Sequence, residues 1–158
     1  MTEKIIVANK GLIRADFAFW VGRYMDKFFD ALEDKKIIGN KCPKCRDVFV
    51  PPRKICGKCN EKIHFEENWV DLPDTGTLKN YTITHYKVND RASRKVKKAQ
   101  IIGMVQIDGS STAIIYRLLD LEPDEVEIGM KLKIQWEENP KGAPSDIKGF
   151  KKEREVIP

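Results

Sequence analysis

Four cysteines, Cys42, Cys45, Cys56 and Cys59, are the only thiols in the chain, spaced C-x2-C, ten residues, C-x2-C. No other feature constrains the fold so tightly. Each C-x2-C pair forms a tight turn that aims two thiolates at one centre. The residues between the pairs form a hairpin that sets the second pair across from the first. Four thiolates then enclose one ion tetrahedrally, the closed arrangement of a structural zinc, with no position left for water. A single iron suits the same four thiolates. Two disulfides are the other alternative, which a reducing cytoplasm disfavours. The expected cofactor is one structural Zn2+ per chain, with no catalysis at the metal. His64, five residues past Cys59, is read as a surface residue because four cysteines already complete the site.

The 158 residues make one ordinary domain or two small ones sharing a surface. A composition 41% hydrophobic and 34% charged is that of a globular protein. No apolar run approaches the ~18 residues of a membrane span. The N-terminal stretch has no apolar core followed by a small-residue cleavage site, so a cytoplasmic location is expected. Net charge is +5, and residues 87–98 (KVNDRASRKVKK), with six Lys/Arg and one Asp, carry an excess as large as that of the whole chain. General affinity for nucleic acid or membrane would spread positive charge over a face. Here it is one local patch, read as a loop.

Asp16 is placed to cap a helix. Phe17, Trp20, Val21, Tyr24, Met25, Phe28, Phe29 and Leu32 recur at three- and four-residue steps, which predicts a helix over 16–35. Ile37–Asn40 leads into the first cysteine pair as a short strand. The second half is β-rich. Strands are predicted over 76–88, 100–108, 112–118 and 131–138, with a tight turn at Gly109-Ser110 and a short last strand over 146–150. Five strands in so short a stretch predict a small closed barrel, with the OB-fold the natural candidate. An SH3-like barrel fits the same count. The expected architecture is mainly β: an N-terminal helical segment (1–36), a rubredoxin-like zinc ribbon (37–68) and a five-stranded OB-fold domain (69–158).

This order, with Phe19-Trp20 early in the helix, then CPKC, VPPRKICGKC, GTLKNYTITH, IGMVQIDG, EIGMKLKIQW and DIKGF, resembles the zinc-ribbon/OB-fold family of thiolase-associated subunits in archaea and bacteria. The proline pair between the knuckles (Pro51-Pro52-Arg53) and the Gly76-Thr77 opening of the first barrel strand are its most specific marks. The resemblance implies a partner subunit for a thiolase-like enzyme, helping to hold coenzyme A or acyl-CoA while the thiolase supplies the catalytic cysteine. The DIKGF element most resembles members from anaerobic aromatic degradation, such as the small subunit of a benzoylsuccinyl-CoA-type thiolase. The basic segment departs from the family, many members of which have a Pro/Gly-rich stretch there.

Coenzyme A ends in a phosphorylated nucleotide, and Arg and Lys grip phosphate. Arg91, Arg94, Lys95, Lys97 and Lys98 are therefore candidate CoA-binding residues, against the plain alternative of a solvated charge run. Phe17, Trp20, Val21, Tyr24 and Phe28 are candidates for a partner interface, against burial in the chain's own core. His85 has no Ser, Cys or carboxylate at a meaningful spacing and is read as structural rather than as a general base. No catalytic residue is assigned. The alternative function is a single-stranded nucleic-acid module, which needs exposed aromatics on the barrel strands; the second and third offer only Tyr116.

Overall fold

A computed structural model describes residues 20–88 and 93–153, with backbone alone for 86–88 and 93–98. Helix α1 spans Arg23–Glu33 and buries Tyr24, Phe28 and Leu32, a stripe at four-residue steps. It begins seven residues later than the periodicity predicts. Gly22 precedes it at φ 90°, a conformation that breaks the helix on its N-terminal side. Trp20 and Val21 therefore lie outside the helix, and Phe17 and the Asp16 cap lie outside the described residues. The helix ends on Lys35 at φ 58°. Lys35 N donates to Leu32 O (2.9 Å) and Lys36 N to Ala31 O (2.9 Å), the paired closure of a Schellman motif.

The chain turns directly into β1 (Ile37–Lys41), the centre of a three-stranded antiparallel sheet between β2 (Val48–Phe49) and β3 (Trp69–Leu72). Then come β4 (Thr75–Val88), β5 (Ser93–Ile107), β6 (Ala113–Leu118), β7 (Lys131–Trp136) and β8 (Ile147–Lys152). They close a barrel in the order β4-β5-β6-β8-β7, with β7 pairing back onto β4. One contact separates the two barrels that the strand count allows. Leu118 of β6 pairs parallel with Phe150 of β8, so the last strand inserts between the third and fourth, the Greek-key closure of an OB-fold. Gly149 permits it. A Cβ there would meet Arg117 O at 2.5 Å, closer than non-bonded atoms approach.

Leu78, Val105, Ile107, Leu132 and Phe150 fill the barrel interior, each fully buried. Phe28 and Leu32 of α1, Ile37 and Ile38 of β1, and Val50 after β2 belong to the same apolar cluster. Helix, ribbon base and barrel thus share one core. Among the described residues no helix is long and apolar enough to cross a membrane.

The basic segment differs from its reading as a loop. Most of it is strand: Tyr86 pairs with Lys95, Lys87 with Arg94 and Val88 with Ser93. β5 meets β6 only from Ile101 onward, and β4 meets β7 only over 75–77. Beyond those contacts the two strands pair only with each other and form a two-stranded arm. Alternating Thr, Tyr, Lys and Val suits strand as well as it suits a solvated surface, which is why charge alone misread it.

Candidate metal centre and the surfaces around it

The two cysteine turns repeat one another. Cys42 N donates to Asp47 O (2.8 Å) and Arg46 N to Cys42 O (3.0 Å); Cys56 N donates to Glu61 O (2.8 Å) and Asn60 N to Cys56 O (3.0 Å). Arg46 and Asn60, each just after the second cysteine of its pair, sit at φ 65° and 55°. That left-handed residue folds the chain back and leaves both sulfurs of the pair on one side. The first cysteine of each pair is buried and the second half-buried.

All four Sγ atoms lie within 4.8 Å of one another, with Cys42–Cys59 and Cys45–Cys56 at 3.5 Å. Sulfurs held ~2.3 Å from a zinc ion form a tetrahedron with edges of about 3.8 Å, so the geometry fits one ion. The electrostatics agree. Burial opposes ionisation of Cys56, but N–H groups of Cys59 and Lys58 and the Cys59 and Cys45 thiols outweigh it and bring its pKa down to about 6. Cys42 is lowered for the same reasons against the same burial. Cys45 receives the Asp47 N–H, which lowers it, yet burial and the three neighbouring thiols push it up to about 12. Burial first, then its neighbours Cys56 and Cys42, raise Cys59. The four thiols thus divide, Cys42 and Cys56 shifted down and Cys45 and Cys59 shifted up. A divalent cation supplies the charge that lets all four ionise.

Side chains that sequence reasoning passed over fix the ribbon to the barrel. Asn40, buried in β1, donates from Nδ2 to Arg53 O (2.6 Å) and accepts from Arg53 N at Oδ1 (3.0 Å). It thereby pins the Pro51-Pro52-Arg53 segment, which begins with a cis Val50–Pro51 bond. The turn between β5 and β6 then grips β2. Val48 N donates to Ser111 Oγ (3.1 Å), Val50 N to Thr112 Oγ1 (2.8 Å), and Thr112 Oγ1 to Val50 O (2.8 Å). The signal available in the sequence was an Asn inside an apolar strand and a Ser-Ser-Thr turn. Neither has a pattern that names its partner.

The candidate interface residues separate into two groups. Tyr24 and Phe28 are buried within the chain. Tyr24 donates its hydroxyl to Ile63 O (2.6 Å) and packs edge-on against Phe65 at 5.3 Å. These two belong to the chain's own core because the ribbon needs an aromatic floor that it cannot build alone. Trp20 and Val21 are exposed, Trp20 to 75%, and the Trp20 indole N–H donates to Asp26. Of the candidate CoA-binding residues, Arg94, Lys95, Lys97 and Lys98 lie on β5 in the arm, and Arg91 lies outside the described residues. His85 is exposed on β4, and His64 is exposed and outside the four-sulfur cluster. Tyr116 is half-buried, with its hydroxyl donating to Pro144 O (3.0 Å). β6 therefore offers no free ring for base stacking.

A four-thiolate ribbon set on a Greek-key barrel defines a zinc-ribbon/OB-fold protein. Residues 29–62 match the family described as the ChsH2 rubredoxin-like zinc ribbon domain, and residues 69–137 match the ChsH2 C-terminal OB-fold domain. A crystal structure of a protein of unknown function from the DUF35 family of Sulfolobus solfataricus is 32% identical, with a TM-score of 0.57, covering 72% of this chain and 78% of that one. The chain belongs to the DUF35 family, built of ChsH2-type ribbon and OB-fold domains. A protein of Methanocaldococcus jannaschii named a DUF35 domain-containing scaffold protein is 29% identical over 97 residues, 61% of this chain. A probable enoyl-CoA hydratase alpha subunit of Thermomonospora curvata is 24% identical over 124 residues, 78% of this chain. The matches span 64% and 34% of the length of those two proteins. The solved Ltp2-ChsH2(DUF35) aldolase shares the fold at 21% identity, with a TM-score of 0.60, covering 84% of this chain and 96% of that one.

Proposed function

We propose that this chain is a non-catalytic scaffold subunit of a thiolase-type complex in the cytoplasm, where it helps to hold coenzyme A or an acyl-CoA for a partner carrying the catalytic cysteine. The observation that carries the reading is the convergence of every thiol in the chain on one metal centre. No sulfur remains to form a thioester, and the barrel interior is filled with apolar side chains, so the chain's work is done at its surface. The names of its relatives support an assembly role in acyl-CoA chemistry: a scaffold protein, an enoyl-CoA hydratase subunit and an aldolase complex.

In this reading the cationic arm meets the phosphates of CoA, and Trp20 and Val21 extend the contact with the partner. The DIKGF segment, on which the likeness to aromatic-degrading members rests, is made of fold-forming residues. Asp146 accepts the N–H groups of Lys141 (3.0 Å) and Ala143 (2.9 Å), Gly149 allows barrel closure, and Phe150 fills the core.

The test is co-expression with the thiolase-like protein encoded nearest its gene, followed by light scattering and CoA titration. A stable hetero-complex that binds CoA is expected. Joint charge reversal of Arg94, Lys95, Lys97 and Lys98 to Glu is expected to weaken CoA binding roughly tenfold or more, since one charge-assisted contact is worth about 1.5 kcal/mol or more. A chain that stays alone and binds oligonucleotides with steep salt dependence overturns the proposal in favour of a nucleic-acid module.

A further inference from the structure

The outward face of the barrel's second and third strands carries a patch to which the proposed function gives no task. Register sets Ile102 of β5 opposite Arg117 of β6, and Met104 opposite Ile115. On the other flank Thr82 and Asn80 of β4 lie opposite Ile102 and Met104. Ile115 is 66% exposed and Met104 40%, at positions where an antiparallel barrel strand ordinarily turns polar groups to water. An open groove of about 570 Å³ runs alongside, lined by Ile102, Ile115, Tyr116, Pro144 and Ile147 together with Arg117, Glu137 and Lys148.

Charge decides what fits there. In a chain that is 34% charged, Arg117 is the one charged residue among those six register positions. Its guanidinium makes no ion pair among the described residues. The carboxylate of Glu137 is already held by Lys148 at 2.6 Å. With Glu137 and Lys148 at its rim paired to each other, what the face leaves for a partner is exposed Ile and Met beside one Arg, residue types found at interface cores. A second copy of the chain would bring Arg117 no free carboxylate, because the patch holds none. A small ligand would find an open face rather than the enclosing walls that bury most of its surface.

We infer that this face docks the catalytic partner subunit, which meets it with an apolar ridge flanked by a carboxylate that pairs with Arg117. The inference rests on the scaffold reading above and names the surface that serves it. Ile115 and Met104 supply the buried contact. Arg117 fixes orientation, since a wrongly placed partner would leave its charge desolvated and unpaired.

The experiment uses the full chain and the thiolase-like subunit. Ile115→Asp and Arg117→Glu are each expected to weaken the complex by roughly tenfold or more, as loss of a central interface anchor does, with zinc content and melting temperature unchanged. Met104, the most exposed of the described methionines, is expected to be oxidised by dilute hydrogen peroxide several-fold more slowly in the complex than in the free chain. If the wild-type complex forms while both variants bind as tightly and Met104 oxidises at its free rate, this surface is wrong and the scaffold reading survives. Failure of the wild-type chain to bind the subunit removes both. A concentration-dependent homodimer in sedimentation, abolished by Ile115→Asp, would make the occupant a second copy and overturn the assignment.

Discussion

The ribbon tip and the barrel are both small β structures, yet they are held together by different physics. The barrel belongs to a cluster of seventeen buried residues that also takes in the helix and ribbon base. The tip has four: Cys42, Phe49, Cys56 and Ile63, with Cys45 and Cys59 packed against them. Two of those four are metal ligands. Beyond the ligands, Phe49, with Arg53 stacked 5.2 Å above its ring, and Ile63 are the apolar members of this cluster, while Val48 and Val50 of the same stretch are also buried. At roughly 25 cal/mol per Å2 of buried apolar area, these few side chains fall far short of the conformational entropy of roughly twenty ordered residues. Folding of the tip therefore depends on the metal, whereas the barrel holds its shape by burial. Coordination energy is local and switchable; burial is spread over many residues and is lost only in part by any one change.

The sharpest way to break the contrast is to remove the metal. Cys56→Ser, or a strong chelator, is expected to abolish zinc binding and open residues 42–62 to protease, because a structural site of this kind contributes on the order of 10 kcal/mol. The barrel should stay folded; a chain that loses its barrel signal in circular dichroism together with its zinc would show that the two are not separable. Next in size, Phe150→Ala should cost about 3–5 kcal/mol in chemical denaturation while leaving zinc stoichiometry at one per folded chain. Asn40→Ala acts at the seam between the two regions. Leaving both backbone groups of Arg53 without their side-chain partner is expected to cost about 1–3 kcal/mol and to raise proteolysis at Pro51–Arg53 with zinc still bound.

The smallest effect is electrostatic and confined to the barrel. Lys131 at 2.9 Å and the Thr75 hydroxyl at 2.8 Å hold Asp108 below its ordinary 3.8, the Lys131 hydrogen bond being the larger cause. A carboxyl lowered on folding stabilises the native state above its unfolded value and loses that contribution as pH falls through its native value. Asp108→Asn should therefore lower stability at neutral pH by a few tenths of a kcal/mol, the scale of a solvent-screened pair, as read from the denaturation midpoint. The difference from wild type should close as the solution is taken below pH 3.8.

What the sequence disclosed follows the same division. The metal site was legible in full, because C-x2-C spacing encodes its own geometry. Strand positions were legible too, since β-branched and aromatic residues alternate, and the five predicted strands all occur within a few residues of their expected ends, apart from the N-terminal end of the second, which reaches into the arm. The topology was not. The choice between two barrels turns on Leu118 meeting Phe150 across thirty-two positions of sequence, and no local pattern records that. The helix start was misplaced because apolar spacing continues through Phe17 and Trp20 while the backbone is stopped at Gly22. The arm was misread because its charge is conspicuous and its pairing is not. Of the candidate interface residues, the structure turns Tyr24 and Phe28 inward and leaves Trp20 and Val21 exposed, and the exposed Met104 and Ile115 on the barrel had no signal in the sequence.

The shared core beneath helix, ribbon base and barrel has a practical consequence for anyone who cuts or transplants this module. The two family matches stop at residue 137 and leave an interval at 63–68, which invites a cut at either place. A fragment ending at 137 would lack β8, the strand that joins β6 to β7, and would present two open strand edges to its neighbours in solution. One beginning after the ribbon would lay bare the side of the core that Phe28, Ile37 and Val50 cover. A transplant therefore has to keep the helix, the ribbon and the barrel strands through Lys152 together.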